Sequence, residues 1–312
     1  MTIDTIIFYN QWHIGDLLLS EGLVRQFCRN NPSFKYYYAL CYGAYIFKDL
    51  PEINCINLDE TPAFKNSSQL PYFLLNDHTL AINTWVMGIL SGDWSKQNEY
   101  ECIIHRIYEQ MRANVIYMNI QYGINITLPS CNKDELLPIL PKVDIERFLT
   151  WKRDKTQKLI MYYNYNPMSG QSIGNINHDV TIFNLAMHNT DKLFIVAKLS
   201  EQLKSANLKN IIDSSEFGYN ETPTCENIGL LHYIEQHCDY GIHYDIGACF
   251  FYIPVDFVKS KCIIIHGANT AKFYNALKEN SSLSNEEYKK KYRFISTASQ
   301  ERYLNAVHEL IK

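Results

Sequence analysis

Residues 5–27 read TIIFYNQWHIGDLLLSEGLVRQF, and the fold is decided there. Ile6-Ile7-Phe8-Tyr9 has the composition of a short buried strand, while Leu17, Leu18, Leu19, Leu23, Val24 and Phe27 recur at helical spacing. The chain therefore turns from strand to helix within Asn10–Asp16, where Gly15 permits a tight backbone. Asp16 is placed to cap the helix by accepting bonds from its first amides. In a parallel α/β sheet such a loop lies at the carboxyl end of a strand, where ligands bind. Asp16 is thus either an N-cap or a general base facing a cleft.

Working outward, Lys35–Leu40 and Asn54–Leu58 read as further strands, with Tyr42–Lys48 a short helix between them. Thr61–Tyr72, which carries Pro62 and Pro71, reads as a loop. Leu80–Val86 reads as a strand, and Glu99–Tyr117 has helical spacing in Ile103, Ile107, Met111 and Val115. Residues 130–158, with Pro138, Pro141 and the charged run 152–155, have linker chemistry. Beyond them come strand Leu159–Tyr163, a polar loop Asn164–His178, helix Val180–His188 and strand Leu193–Ala197. Then follow helix Glu201–Asn207, strand Asn210–Ile212, helix Cys225–His237 and strand Tyr240–Tyr244. Helix Ile246–Tyr252, strand Lys261–His266 and a final helix Ser299–Ile311 close the pattern. Strand and helix alternate in both halves, which predicts mainly parallel sheets.

A length of 312 residues exceeds what one core usually serves, so two domains are expected. Hydrophobic content of 46% and charge of 20% are those of a soluble globular protein. A net charge of −4 gives no electrostatic footprint for nucleic acid. No apolar run reaches the roughly 18 residues of a membrane span, and no secretory signal opens the chain. The nine cysteines, Cys28, Cys41, Cys55, Cys102, Cys131, Cys225, Cys238, Cys249 and Cys262, are odd in number and form no C-x-x-C pair. They read as reduced core thiols, which places the chain in the cytoplasm. The basic run Lys289–Arg293 reads as a solvated face, with contact to an anionic acceptor or a membrane surface the minor alternative.

The opening I-G-D-L-L-L, the following helix, Asn31-Pro32, a strand and Leu50-Pro51-Glu52-Ile53-Asn54 resemble the amino-terminal domain of heptosyltransferase-like glycosyltransferases of the GT-B fold. Leu80–Val86 is similar to a later strand of that acceptor domain, and ENIGLLHYIEQHCDYGIHYDIG (226–247) to a donor-domain segment. The resemblance implies two Rossmann-like domains facing each other across a cleft: 1–150 on the acceptor side, joined by helix 297–312 packing back on it, and 151–296 binding a nucleotide sugar. It implies transfer of a sugar from a nucleotide-diphosphate donor to a glycan or glycolipid acceptor hydroxyl, with inversion. Asp16 matches the family's catalytic acid, which takes the acceptor's proton.

A leaving diphosphate needs charge stabilisation, which free amides at helix starts supply. Ser169-Gly170-Gln171 and the Asp245-Ile246-Gly247 turn are the candidate loops, and Lys198 after its strand is either the candidate cation or an ordinary surface Lys. Family members often carry a Lys in the first of these loops; Asn164–His178 has none. Glu226 matches the family's acidic donor-side residue, with ribose binding or complementing a helix dipole as its two roles. Asp245 orients amides or caps a helix. Trp12 and His13 flank Asp16, and Asn83 and Trp85 lie near a strand end, so the four are candidates for holding an acceptor sugar. His232, His237 and His243 lack i, i+4 spacing and read as structural or solvated. No Asp-x-Asp occurs, which favours a reaction with no metal and no cofactor beyond the nucleotide-sugar co-substrate. A nucleotide-sugar binder without turnover, and another enzyme such as a 2-epimerase on this scaffold, are the alternatives.

Overall fold

A computed structural model of the chain describes residues 2–11, 14–41, 44–60, 63–64, 70–85, 103–139, 142–164, 176–220, 225–243, 262–266 and 283–312. The chain divides into two compact units, Met1–Pro141 and Lys142–Lys312. This division falls earlier than the expected 150/151, because Ile145 and Phe148 belong to the second core rather than to a linker.

In the first unit, β1 (Thr5–Tyr9), β2 (Lys35–Leu40), β3 (Ile53–Asn57), β4 (Tyr72–Asn76) and β5 (Thr79–Asn83) form one sheet. Their order is β3-β2-β1-β5-β4. Neighbours run parallel except β4 and β5, which make an antiparallel hairpin. Alternate residues of β1 serve opposite faces: Ile7 and Tyr9 pack with Ala39, Phe64 and Ala81, while Phe8 meets Phe27 edge-on at 5.2 Å. Phe27 belongs to helix α1 (Ile14–Asn30), and helix α2 (Ile103–Tyr122) follows β5. Strand β5 stops at Asn83, short of the expected Val86, and β4 is an addition to the sequence reading.

Along α1, Gly22 is required by a neighbour. A Cβ there would lie 2.2 Å from the Leu136 carbonyl oxygen of the short helix α3 (Lys133–Leu136). Arg25 donates to the Leu137 carbonyl at 2.9 Å, and Glu21 accepts from the Ile139 amide at 2.8 Å. The end of the first unit is therefore fastened to α1.

The second unit holds α4 (Glu146–Lys152), β6 (Lys158–Tyr163), α5 (His178–His188), β7 (Lys192–Val196), α6 (Glu201–Ala206) and β8 (Ile211–Asp213). Next come α7 (Cys225–Glu235), β9 (Tyr240–His243), β10 (Cys262–His266), α8 (Asn285–Lys291), β11 (Tyr292–Ile295) and α9 (Gln300–Ile311). The strands are ordered β11-β10-β9-β6-β7-β8 and every neighbouring pair is parallel. One face packs Ile160, Tyr162, Phe194 and Ile242 against α5 and α9; the other packs Leu159, Met161 and Ile195 against Phe148 of α4 and Leu231 and Ile234 of α7. Both faces covered is what the unbroken apolar runs of β6 and β7 require.

The final helix, expected to pack back on the first half, has Tyr303, Val307 and Ile311 of α9 buried against the second sheet and α5, where its apolar stripe completes that face. The run Lys289–Arg293 ends α8 and starts β11: Lys289 and Lys290 are exposed, as a solvated face requires, while Tyr292 is buried and stacks on Tyr288 at 4.8 Å. Its lysines occupy the last helical turn, where positive charge complements the dipole. Among the described cysteines, Cys28 and Cys238 are buried, as expected of core thiols, whereas Cys41, Cys55 and Cys131 are exposed. Cys55 is exposed because β3 is an edge strand. The expected helix Ile246–Tyr252 lies outside the described residues.

Candidate functional site

The chain lays β2 and β3 on one side of β1 and returns with β5 on the other. Such a reversal of order opens a crevice at the carboxyl ends of the two central strands. Tyr9 and Asn83 are the last paired residues there, and the Thr84 amide extends the ladder to the Tyr9 carbonyl at 3.1 Å. A buried seam of hydroxyls follows. Thr84 Oγ1 lies 2.5 Å from the Tyr38 hydroxyl of β2, which lies 3.2 Å from Ser20 Oγ of α1. Ser20 is thereby fixed against the strand ends.

Asp16 stands four residues before Ser20, on the same side of α1 and one turn nearer the helix start. It is half-buried. The helix begins at Ile14, so Asp16 sits inside the first turn and is not the N-cap that the sequence suggests. Its charge there complements the amino-terminal end of the dipole.

Asn83 is 4% exposed, and its carboxamide oxygen accepts the Trp85 amide at 2.9 Å. Its side chain also bonds the hydroxyl of Tyr9, whose titration burial moves above the usual phenol range despite that bond. Asn83 therefore shapes the strand end, and Trp85, partly exposed, is the candidate left facing out. Gln11 is held by its amide donating to the Phe64 carbonyl at 2.6 Å. Trp12 and His13 lie outside the described residues.

In the second unit the reversal falls between β6 and β9. Asn164, next after β6, clamps the backbone of Lys198 from both sides: its oxygen accepts the Lys198 amide at 2.9 Å and its amide donates to the Lys198 carbonyl at 2.5 Å. Lys198 is exposed at the carboxyl end of the sheet. The chain reaches Ser169, Gly170 and Gln171 from this clamped residue, and all three, like Asp245 and Gly247, lie outside the described residues. Glu226 occupies the first turn of α7, which follows β8 and so begins at the carboxyl end of the parallel sheet.

Under this sheet end lies a network absent from the sequence reading. Glu235, at the end of α7, is 0% exposed. Its carboxylate accepts the Tyr163 hydroxyl at 2.6 Å and His243 Nε2 at 2.9 Å, with His232 Nδ1 at 3.7 Å. Tyr163 and His243 are register partners, and their rings stack at 4.3 Å. Burial alone would raise the Glu235 pKa, but the imidazoles of His243 and His232 outweigh it and hold the carboxyl well below its usual range. Burial pushes His232 down in turn, against the opposing pull of Glu235. His232 and His243 are thus structural and unsolvated, at 1% and 3% exposure; His237 is the exposed one. The sequence signal is faint: a Glu three residues after a His on the otherwise apolar side of α7, then Gly241-x-His243 on the next strand.

No family model and no curated protein matches the chain. Among the solved structures to which the chain is similar, three share about one-tenth of its sequence. The E. coli ADP-heptose lps heptosyltransferase II shares 11% identity over 99% of this chain and 98% of its own, with a TM-score of 0.49. An E. coli heptosyltransferase solved with ADP shares 9% over 98% of both chains, with a TM-score of 0.49. A glycosyl transferase of family 9 from Veillonella parvula shares 10% over 100% of this chain and 91% of its own, with a TM-score of 0.44.

Proposed function

We propose that the chain is a glycosyltransferase that moves a sugar from a nucleotide-diphosphate donor to an acceptor hydroxyl, with Asp16 as general base. The observation that carries this reading is the half-buried Asp16 one turn above Ser20, whose hydroxyl is tied to Tyr38 and Thr84 at the reversal of the first sheet. A carboxylate at that place meets a ligand held over the strand ends. The motif resemblance around I-G-D-L-L-L supports the same role.

On this reading the two units form a GT-B pair, the first taking the acceptor and the second the donor. Asp16 removes the proton of the attacking hydroxyl, an effect worth about 10²–10⁴-fold in rate. The oxygen attacks the anomeric carbon opposite the leaving diphosphate, so that centre inverts. Lys198, beside the base of the Asn164 loop, is the candidate to neutralise the charge that develops on the diphosphate. Glu226 takes ribose hydroxyls, and Trp85 offers a flat apolar face to an acceptor ring. The reaction runs without a metal, in the cytoplasm, on a glycan or glycolipid, with peripheral contact to a membrane where the acceptor is a lipid. Among the described residues no helix is long and apolar enough to cross a membrane.

The test is release of free nucleoside diphosphate from a panel of nucleotide sugars mixed with candidate acceptors. Asp16→Asn is expected to abolish release while donor binding persists. Full release by Asp16→Asn sinks the assignment. One feature favours a second reading, a binder without turnover: the Asn164–His178 stretch carries no Lys for the phosphates. Tight donor binding with no release in any mixture would select it.

A further inference from the structure

Glu235 is an expensive way to stabilise a core. Desolvating a carboxylate offsets much of what its partners return, and an apolar group of similar size often serves stability as well or better. A charged network instead fixes directions, because each bond has a preferred geometry and none can slide as apolar contacts do.

The partners show which directions are fixed. Tyr163 is the last residue of β6 and His243 the last of β9. These are the two strands on either side of the second sheet's reversal, and the pair sits in register. One carboxylate takes a bond from each side chain, and the two rings stack on one another. Strand β9 is itself built around the carboxylate. A Cβ on Gly241 would lie 1.7 Å from Glu235 Oε1, so that position is open only to a residue without one. Asn164, which clamps Lys198, follows Tyr163 directly.

We propose that Glu235 is a positioning residue for the donor half of the reaction. By holding Tyr163 and His243 together, it sets where the chain leaves β6 and hence where Asn164, and the Lys198 that Asn164 clamps, stand relative to a bound nucleoside diphosphate. This inference rests on the transferase reading above and names the residue that shapes its donor side. Glu235 itself touches no substrate; it acts through the strand ends.

The test measures dissociation constants of ADP, GDP, UDP, CDP and dTDP by calorimetry. The proteins compared are the wild type, Glu235→Gln, Glu235→Leu and Tyr163→Phe. Val307→Ala, which loosens the opposite face of the same sheet, is the stability control. For the nucleotide the wild type binds best, the Glu235 variants are expected to bind about tenfold more weakly, less than the roughly 10²-fold that a 1 Å misplacement can cost. Tyr163→Phe removes one tie and leaves the ring stack, so it should fall between them and the wild type. Val307→Ala should bind as the wild type does even where its melting temperature drops further.

Equal affinity in all variants overturns the positioning role and leaves the transferase reading standing. Equal weakening in Val307→Ala also overturns it, because the effect would then follow stability alone. Should the Glu235 variants fail to fold, Tyr163→Phe decides by the same criteria. A wild type that binds none of the five nucleotides overturns the donor reading, and this inference with it.

Discussion

Both sheets reverse their strand order at a central strand, yet they fasten that place in opposite ways. In the first unit the seam is neutral: Thr84, Tyr38 and Ser20 share hydroxyl hydrogen bonds beneath the surface, and the carboxylate of Asp16 stands half-buried one turn beyond. In the second unit the carboxylate is the fastening, fully buried with two imidazoles and a phenol around it. On the proposed reading of Asp16, the difference separates two uses of an acid. A carboxylate that must exchange protons with a ligand needs access to it, and a carboxylate that must hold geometry needs to be kept from water.

The sharpest way to break this contrast is to empty the second fastening. Glu235→Ala removes the acceptor that Tyr163 and His243 both reach, and is expected to destabilise the protein by about 3–5 kcal/mol, the range for breaking a buried pair. Urea unfolding measures it, and a loss under about 1 kcal/mol would mean the network is no fastening. Gly241→Ala should cost a similar amount, since its new methyl meets Glu235 Oε1. The two losses should not add: with Glu235 already truncated, the methyl has room, and Gly241→Ala should then cost far less. Additive losses would show that Gly241 serves something other than the carboxylate.

The neutral seam should be gentler to cut. Tyr38→Phe deletes the hydroxyl between Thr84 and Ser20 and is expected to cost about 0.5–1.5 kcal/mol, the net worth of ordinary hydrogen bonds. The same unfolding assay reads it. A loss as large as that of Glu235→Ala would erase the distinction between the two sheet ends.

How much of this the sequence showed follows from burial. Strands β1, β2, β6 and β7 are covered on both faces, so each is an apolar run that needs no partner to be recognised. Strand β4 is half-buried at a sheet edge, and its Tyr72–Leu75 run before Asn76-Asp77 was legible only as the end of a loop. Strand β11 was hidden because its lysine-rich approach reads as solvent-facing until the helix that ends there is known. Asp16 was singled out by position, and the structure puts it in the first turn of α1 and not at the cap. Final helix α9 misled, since an amphipathic stripe shows that a helix packs but not on which sheet. Glu235 could not be found at all: its meaning depends on β6 and β9 lying side by side, and strand order is written in no local pattern.

The subtlest expected difference is in acid. Burial depresses the pKa of His232, so the unfolded chain binds more protons than the folded one below the ordinary histidine value of about 6.5. The stability that neutral His232 contributes is therefore complete above that pH and is lost progressively below it. Glu235 is depressed too, so its contribution persists until the pH falls beneath the ordinary carboxylate range. The first seam consists of hydroxyls; its Tyr38 is moved upward by burial, against the pull of its hydrogen bonds, and is silent in acid. Hydrogen exchange at the β6 and β9 amides should therefore quicken as pH is lowered from 7 to 5, after correction for intrinsic exchange, while the β1 and β5 amides hold. Replacing His232 with Gln should flatten the trend in β6 and β9. A trend of equal slope in both sheets, or one that survives His232→Gln, would place the titrating group elsewhere and remove the acid sensitivity that sets the charged fastening apart from the neutral one.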